Sequence, residues 1–260
     1  FGNVNYDIAK ASETEVESDG FSFDIDDYSI NNSALTYLDL GTNMKLYISE
    51  LNHSGSGTFS GDKSELDTET EANVSFEMDS TNYLKNTHIK LDALIGMDLE
   101  NSKYTFKDNT GYINKLPIEF KGFVQLLEEG QDVDITFENP ESSFKNFLAV
   151  IPEAYSKNIE NVETTGDFKV KGIIKGKVTE ETIPTLDISI VSNNASFKYP
   201  DLPKRVENIV INTEIKNETG FTKDTYVDIK TLNFKIDNDV FNSSATIKNI
   251  TGNMLVNANV

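Results

Sequence analysis

The chain has 260 residues, a formal net charge of −20, a pI near 4.4 and 37% hydrophobic residues. The negative charge argues against binding to the phosphate backbone of nucleic acids, and it opposes docking on anionic lipid head groups. There is no cysteine, so disulfides and thiolate chemistry are excluded.

No apolar run approaches the ~20 residues that are needed to span a bilayer, and no signal-peptide pattern is present. The first residue is Phe1 rather than methionine. We therefore expect this chain to be an excised soluble piece of a longer protein, so the lack of an anchor in it says nothing about that protein.

Apolar and polar residues alternate with period two through most of the chain, which predicts β-strands with one apolar side and one wet side. The first such segment is 4–8, and an acidic segment at 12–20 follows as a predicted loop. The clearest strand is 66–78, where the even positions are apolar or small and most of the odd ones are acidic. Further alternating segments lie at 21–25, 35–37, 44–48, 89–99, 116–126, 133–137, 162–178, 186–190, 195–199, 209–215, 227–236, 241–247 and 254–258. The glycine- and serine-rich segment 53–64 predicts an irregular or bulged connection.

One segment, 141–160, has apolar residues at steps of three and four, which predicts an amphipathic α-helix. Pro152 lacks the N–H that the second half of this helix needs, so we expect a kink near Ile151. Its apolar stripe is expected to lie against the apolar side of the sheet. If the sheet curls into a groove, this helix would cap one end of it. The candidate groove-capping residues are Phe144, Phe147, Leu148 and Ile151.

The connections between predicted strands are short, which favours a mostly antiparallel meander. A sheet of a dozen or more strands, at ~4.8 Å per strand, must twist, curl or split into two layers. The predicted fold class is mostly β: a long antiparallel meandering sheet curled into a groove, with one amphipathic helix. The alternative is a two-layer β-sandwich. We expect residues 1–260 to form one β-rich domain or a fragment of a longer β-groove.

Residues that could carry chemistry are few. His53 and His88 have no neighbouring metal-ligand pattern and are expected to be solvated surface residues. Asp24, Asp26 and Asp27 lack the spacing of a known calcium loop. The remaining carboxylates alternate along strands as a wet face, whereas a carbohydrate-active enzyme needs a converging pair. We expect no enzyme activity, no cofactor and no metal.

A lysine row lies on the polar side of segment 162–178. We expect these lysines to pair with acidic rows across strands or to discourage edge-to-edge aggregation. The row comprises Lys169, Lys171, Lys175 and Lys177.

Two segments carry a resemblance to a known family. Segment 194–209, NASFKYPDLPKRVENI, resembles a recurrent segment of bacterial AsmA-like proteins, in which a strand ends in a YPDLP-type turn and runs into the next strand. Segment 142–176 resembles the segment that precedes it in those proteins, and SGSGTFS at 54–60 fits more weakly. Together they cover about a quarter of the chain and contain no catalytic residues.

The resemblance implies a periplasmic protein of a Gram-negative bacterium, held by an inner-membrane helix that this fragment lacks. AsmA-like proteins are similar to bridge-like lipid carriers, whose curled β-sheet has an apolar inner face, and they are associated with outer-membrane assembly and phospholipid transport between membranes. The expected function is therefore a non-enzymatic lipid-binding or lipid-conducting groove segment. Its expected ligand is a phospholipid or another acyl-chain lipid.

The alternative from the residues themselves is a structural or adhesive β-sandwich interaction domain, whose apolar face is a dry core and which needs no ligand. The candidate lipid-lining residues are Val74, Phe76, Leu91, Ile95, Phe168, Val170, Ile174, Phe197 and Tyr199.

Overall fold

The computed structural model describes residues 22–41, 43–60, 63–78, 81–140, 142–148, 162–199, 203–250 and 253–260. These residues form fifteen β-strands, one short α-helix and one 3-10 turn. The predicted strand at 4–8, the acidic segment 12–20 and the predicted kink at Ile151 and Pro152 lie outside the described residues.

The strands are β1 (Ser22–Asp39), β2 (Met44–Ser60), β3 (Lys63–Met78), β4 (Thr81–Asp98), β5 (Lys103–Ile113), β6 (Leu116–Leu126), β7 (Gln131–Glu138), β8 (Ser142–Ser143), β9 (Glu163–Thr165), β10 (Asp167–Val178), β11 (Thr185–Lys198), β12 (Val206–Asn217), β13 (Tyr226–Ile236), β14 (Asp239–Lys248) and β15 (Leu255–Asn259). The helix α1 is Phe144–Leu148, and the 3-10 turn is Thr222–Asp224.

All of these strands belong to one hydrogen-bonded sheet, in which every pairing is antiparallel and most chain neighbours are paired. The order runs from β1 to β7 and then from β10 to β15, while β8 pairs with β10 and β9 with β11. The path starts at β1 and ends at β15, so the sheet is open, and it is not strongly curled. The predicted antiparallel meander is thus confirmed, and the described strands do not form the two layers of the sandwich alternative.

Burial in β3 follows the predicted alternation. Leu66, Thr68 and Ala72 are buried, whereas Glu65 and Asp67 are exposed. Such alternation arises because successive side chains of a strand point to opposite faces of the sheet.

Several connections between strands are two-residue turns that need a left-handed backbone. Asn114, between β5 and β6, has φ 53°, and Asp237, between β13 and β14, has φ 58°. Asn and Asp tolerate this conformation, which matches the twist of a hairpin.

The register joins the apolar sides of the strands into one surface, because directly paired residues lie on the same face. We call it the apolar face, and neither of two rows that cross it contains a charged side chain. The first row is Gly57, Leu66, Ile95, Phe106, Gly122, Ile135, Ile174, Leu186 and Asn217. The second row is Asn109, Phe120, Phe137, Gly172, Ile188, Ile215, Val227, Ile247 and Val256.

The opposite side, which we call the charged face, carries a parallel row of polar residues. That row is Thr110, Glu119, Glu138, Lys171, Ser189, Glu214, Asp228, Thr246 and Asn257.

Bulges interrupt the alternation at several places. In β2 the register shifts between Ser49 and Asn52, where Glu50 has φ 51°. An extra residue in a strand reverses the relation between sequence parity and face. As a result Ile48 and His53 both pair with apolar-face residues of β3, namely Val74 and Thr70. The predicted irregular connection at 53–64 is wrong in its first part, because residues 53–60 belong to β2.

The helix begins later than predicted. Only α1 is helical among the described residues of 141–160, because Ser142 and Ser143 form β8 and pair with Phe168 and Asp167 of β10. The predicted first turn is therefore occupied by a strand.

The helix nevertheless packs on the sheet through its first apolar residues. Phe144 is 4% exposed, and the ring of Phe147 stacks on Phe168 with a centroid distance of 4.1 Å. This helix-covered cluster has Leu116, Phe144, Phe168, Ala195 and Ile209 at its centre, with Phe147, Val170, Ile190, Phe197, Val206, Ile211 and Phe234 packed against it.

Candidate apolar binding face

The predicted lipid-lining residues of β3 and β4 lie on the apolar face. Val74 pairs with Ile48, Phe76 pairs with Leu46, and Leu91 pairs with Thr70. Ile95 pairs with Leu66 and belongs to the first apolar row. These four side chains are half-buried, so they are within reach of a ligand or partner.

The remaining predicted lining residues lie on β10 and at the end of β11. Val170 pairs with Ile190, and Ile174 pairs with both Ile135 and Leu186. Phe197 pairs with Val206, and Tyr199 meets the ring of Phe197 edge-on at 5.7 Å between centroids. Phe168 differs from the other eight because it is fully buried, with 1% exposure, in the helix-covered cluster.

The predicted groove-capping residues are only partly described. Phe144 and Phe147 lie in the helix-covered cluster, whereas the side chain of Leu148 and all of Ile151 lie outside the described residues. The cluster sits at one end of the strands, where β10 and β12 begin and β11 ends. The helix therefore covers one end of the apolar face.

Gly172 shapes the middle of the apolar face. A Cβ atom at this position would lie 2.6 Å from Cζ of Phe137 and 2.9 Å from Cγ1 of Ile188. Glycine thus lets the phenyl ring lie across β10, which keeps this part of the face closely packed.

Most polar groups on the apolar face are satisfied within the protein. The Thr68 hydroxyl donates to the Ala93 carbonyl oxygen at 3.0 Å, and the Ser192 hydroxyl donates to the Asp167 carbonyl oxygen at 2.7 Å. Asn139 accepts from the Val170 N–H and donates to the Phe168 carbonyl oxygen. Among the described residues, buried Asn109 Nδ2 and Ser64 Oγ have no partner.

A half-buried group of three polar residues stands out on the same face. His53 Nδ1 lies 2.8 Å from Thr70 Oγ1, and His53 Nε2 lies 2.9 Å from the Tyr28 hydroxyl oxygen. Burial lowers the pKa of the His53 imidazole and raises the pKa of the Tyr28 phenol. We call this group the Tyr28–His53–Thr70 trio.

The sequence prediction for His53 is wrong, because the residue is not a solvated surface histidine. The bulge in β2 turns it to the apolar face, and no signal in the sequence marks the position of that bulge. His88 differs: it lies on the charged side with its Nε2 3.3 Å from Glu71 Oε1, and its side chain is 46% exposed.

The charged face is crossed by ion pairs between strands. Lys45 Nζ lies 2.7 Å from Glu77 Oε1, and Lys175 Nζ lies 2.6 Å from Asp134 Oδ2. A hydrogen bond to Asp134 and its negative charge raise the pKa of Lys175. The other lysines of the predicted row, Lys169, Lys171 and Lys177, make no ion pair with any described residue.

Two hollows lie on the charged face. The larger, of about 660 Å³, is lined by side chains from five central strands, including Glu119, Glu138, Lys171 and Ile173. The smaller, of about 510 Å³, includes Asp27 of β1. Both therefore lie on the side opposite to the predicted lipid-lining residues.

In the described part of the chain, no group of three or more His, Cys, Asp or Glu side chains is close enough to hold a metal ion. Of the three aspartates at the start of β1, the side chains of Asp24 and Asp26 lie outside the described ones, and Asp27 is exposed. In the same described ranges, no helix is long and apolar enough to cross a membrane.

Comparisons with protein-family models, with curated proteins and with solved structures find no match to this chain. The AsmA-like resemblance of segments 142–176 and 194–209 therefore stays a prediction.

Proposed function

We propose that this chain binds the acyl chains of lipids along its apolar face and acts as a non-enzymatic lipid-binding or lipid-conducting segment. The observation that carries the proposal is the register: it keeps charged side chains out of both apolar rows, and most of the lining residues stay half-buried. An apolar surface of this extent that no described residue covers is rarely tolerated without a use.

The energetics favour an acyl ligand. Each buried CH₂ group contributes about 0.8 kcal/mol, so a chain lying along several strands gains on the order of 10 kcal/mol before the entropy of ordering is subtracted. A slightly curled sheet and a long open sheet would both bind an acyl chain. The free energy gained depends on the apolar area that the chain covers rather than on how far the sheet encloses it.

The wider role belongs to the same proposal and rests on the AsmA-like resemblance alone. It places the protein in the periplasm, with its parent chain anchored in the inner membrane, and gives it a part in outer-membrane assembly and phospholipid transport between membranes. In this proposal the apolar face serves as a shallow, open groove for the lipid, and α1 closes one end of it.

The experiment uses two adjacent residues of β10 that face opposite sides. Ile174 lies in the first apolar row, whereas Ile173 pairs with Thr136 and Asp187 on the charged face. Lipid is extracted from purified protein and quantified by mass spectrometry, and the uptake of a fluorescent fatty-acid analogue is measured. Ile174→Lys should lose most of the bound lipid, because an unpaired charge on the apolar face is costly, while the matched control Ile173→Lys should retain it.

Circular dichroism establishes that both variants fold, and Ile174→Ser provides a milder change if the lysine variant does not. Wild-type protein that carries no lipid and takes up no analogue would contradict the proposal. Equal loss in the Ile173 and Ile174 variants would contradict the assignment of the apolar face as the binding surface.

A second candidate is an interaction domain whose apolar face docks on another protein and needs no lipid. It is favoured by one observation, the absence of strong curl, because a gently twisted sheet packs well on a second sheet about 10 Å away. In that case Ile174→Lys should abolish an association seen by sedimentation, and the wild-type extract should contain no lipid.

A further inference from the structure

The Tyr28–His53–Thr70 trio occupies an unusual place, a polar group on a face built of apolar rows. His53 pairs with Ile30 of β1 and Thr70 of β3, and Thr70 pairs in turn with Leu91 of β4. Tyr28 reaches the imidazole across Gly55, where an added Cβ would lie 2.8 Å from the Tyr28 hydroxyl oxygen. The glycine therefore makes room for the phenol that completes the trio.

Counting the hydrogens of the trio shows that it has a donor left over. A neutral imidazole has one N–H and one acceptor nitrogen, and each hydroxyl has one O–H. Two hydrogen bonds link the three side chains, so they use two of the three available hydrogens. Neither hydroxyl makes a further hydrogen bond within the described part of the chain, so one O–H remains available.

Protonation of His53 enlarges this capacity. The imidazolium donates from both nitrogens, so both oxygens become acceptors and both hydroxyl hydrogens are released. The trio then has a positive charge and two free O–H donors, which is the donor set that an anionic oxygen group requires.

Among the side chains that the structure describes, none next to the trio on the same face carries a fixed charge. The carboxylates nearest to the trio in sequence, Asp27 on β1 and Glu69 and Glu71 on β3, alternate with its members and project to the charged face. The neighbours of His53 on its own face are the Tyr28 phenol, Thr70 and Ile30. Burial lowers the pKa of the imidazole, which favours its uncharged form when no anion is bound.

We infer that the Tyr28–His53–Thr70 trio holds the anionic oxygen group, carboxylate or phosphate, of a lipid whose chain lies on the apolar face, and that it holds this group more tightly when His53 is protonated. The inference rests on the proposed function. Other hydroxyls of this face, such as those of Thr68 and Ser192, donate to backbone carbonyl oxygens and offer no comparable site.

The test compares two single-chain amphiphiles of equal length, an alkyl sulfonate that is anionic at every pH used and the corresponding alcohol. Both displace a fluorescent acyl probe from the intact protein below their micelle-forming concentrations. In the wild type, the ratio of sulfonate to alcohol affinity should rise about tenfold between about pH 7.5 and about pH 5.5, because a charge-assisted hydrogen bond is gained.

His53→Gln should lose this rise, and His88→Gln is the matched control because it removes the other histidine, on the charged side of β4. Tyr28→Phe, which removes one hydroxyl with little change in shape, should reduce the rise and serves if His53→Gln does not fold.

A wild-type ratio that does not change with pH, or an equal rise in His53→Gln, would overturn the role of the trio while leaving lipid binding intact. A protein that binds neither amphiphile would overturn the proposed function itself.

Discussion

Two parts of the apolar face follow the same sequence pattern but differ in burial. In the helix-covered cluster Phe168 is 1% exposed, whereas Leu35 and Tyr37, on the same face in the edge strand β1, are 45% and 44% exposed. Both regions alternate with period two. The difference comes from what lies above the strands: α1 contributes Phe144 and Phe147 at one end, and no described residue covers the other. Alternation thus specifies a face, but it does not specify whether that face is core or binding surface.

The largest expected effect is at the covered end. Phe168→Ala should destabilise the protein by about 3–5 kcal/mol, because it removes a fully buried ring and leaves a cavity under α1. The free energy of unfolding from chemical denaturation measures this. A loss below about 1 kcal/mol would mean that the cluster is not the rigid part of the molecule.

A change in the middle of the face should have an intermediate effect. Gly172→Ala adds a methyl group where the Phe137 ring and Ile188 already lie within 3 Å, so we expect a loss of about 1–3 kcal/mol. The same denaturation measurement applies, with Gly96→Ala as the control because a Cβ there meets nothing closer than 3.8 Å. Equal losses at the two glycines would show that close packing does not extend to the centre of the sheet.

At the uncovered end, stability and binding should separate. Leu35→Ala should cost less than about 1 kcal/mol, since its side chain is already half solvated in the folded state. Under the proposed function, the same substitution should weaken the uptake of a fluorescent acyl chain more than Phe168→Ala does at matched folded fraction. If Leu35→Ala destabilises as much as Phe168→Ala, the contrast between the two ends is wrong.

The smallest expected effect is on the pH dependence of stability in the absence of lipid. Burial lowers the pKa of folded His53 below its ordinary value of about 6.5, so the folded state disfavours the protonated form. The contribution of His53 to folding stability is complete at pH values above its ordinary pKa. It decreases as the pH falls below that value toward the pKa of the folded state. His53→Gln should therefore flatten the stability curve on its acidic side. Thermal unfolding at a series of pH values measures the difference.

Local pattern predicted much of this architecture. Alternation and short turns are local properties, so the strands of the meander and their short connections followed from the sequence. The helix was predicted to begin too early, because pairing of Ser142 and Ser143 with β10, a contact over more than twenty residues of chain, competes with helical propensity. The face of His53 could not be predicted, since a bulge at Glu50 depends on the strands that flank it. The curl of the sheet depends on many such bulges together, so no single segment of the sequence predicts that it is not strong.

The serial pairing of the strands has a consequence for how such a molecule changes in length. Within the series β1 to β7 and the series β10 to β15, each strand is hydrogen-bonded to the next strand of its series. The removal or duplication of one hairpin therefore leaves the remaining pairs with their own partners, as in repeat proteins whose units contact only their neighbours. Because a hairpin contributes two antiparallel strands, such an event also returns the chain to the same edge of the sheet with its faces unchanged. The extent of the apolar surface is thus a quantity that gene-level insertions and deletions can adjust in steps of about 10 Å, two strand spacings, without redesign of the rest.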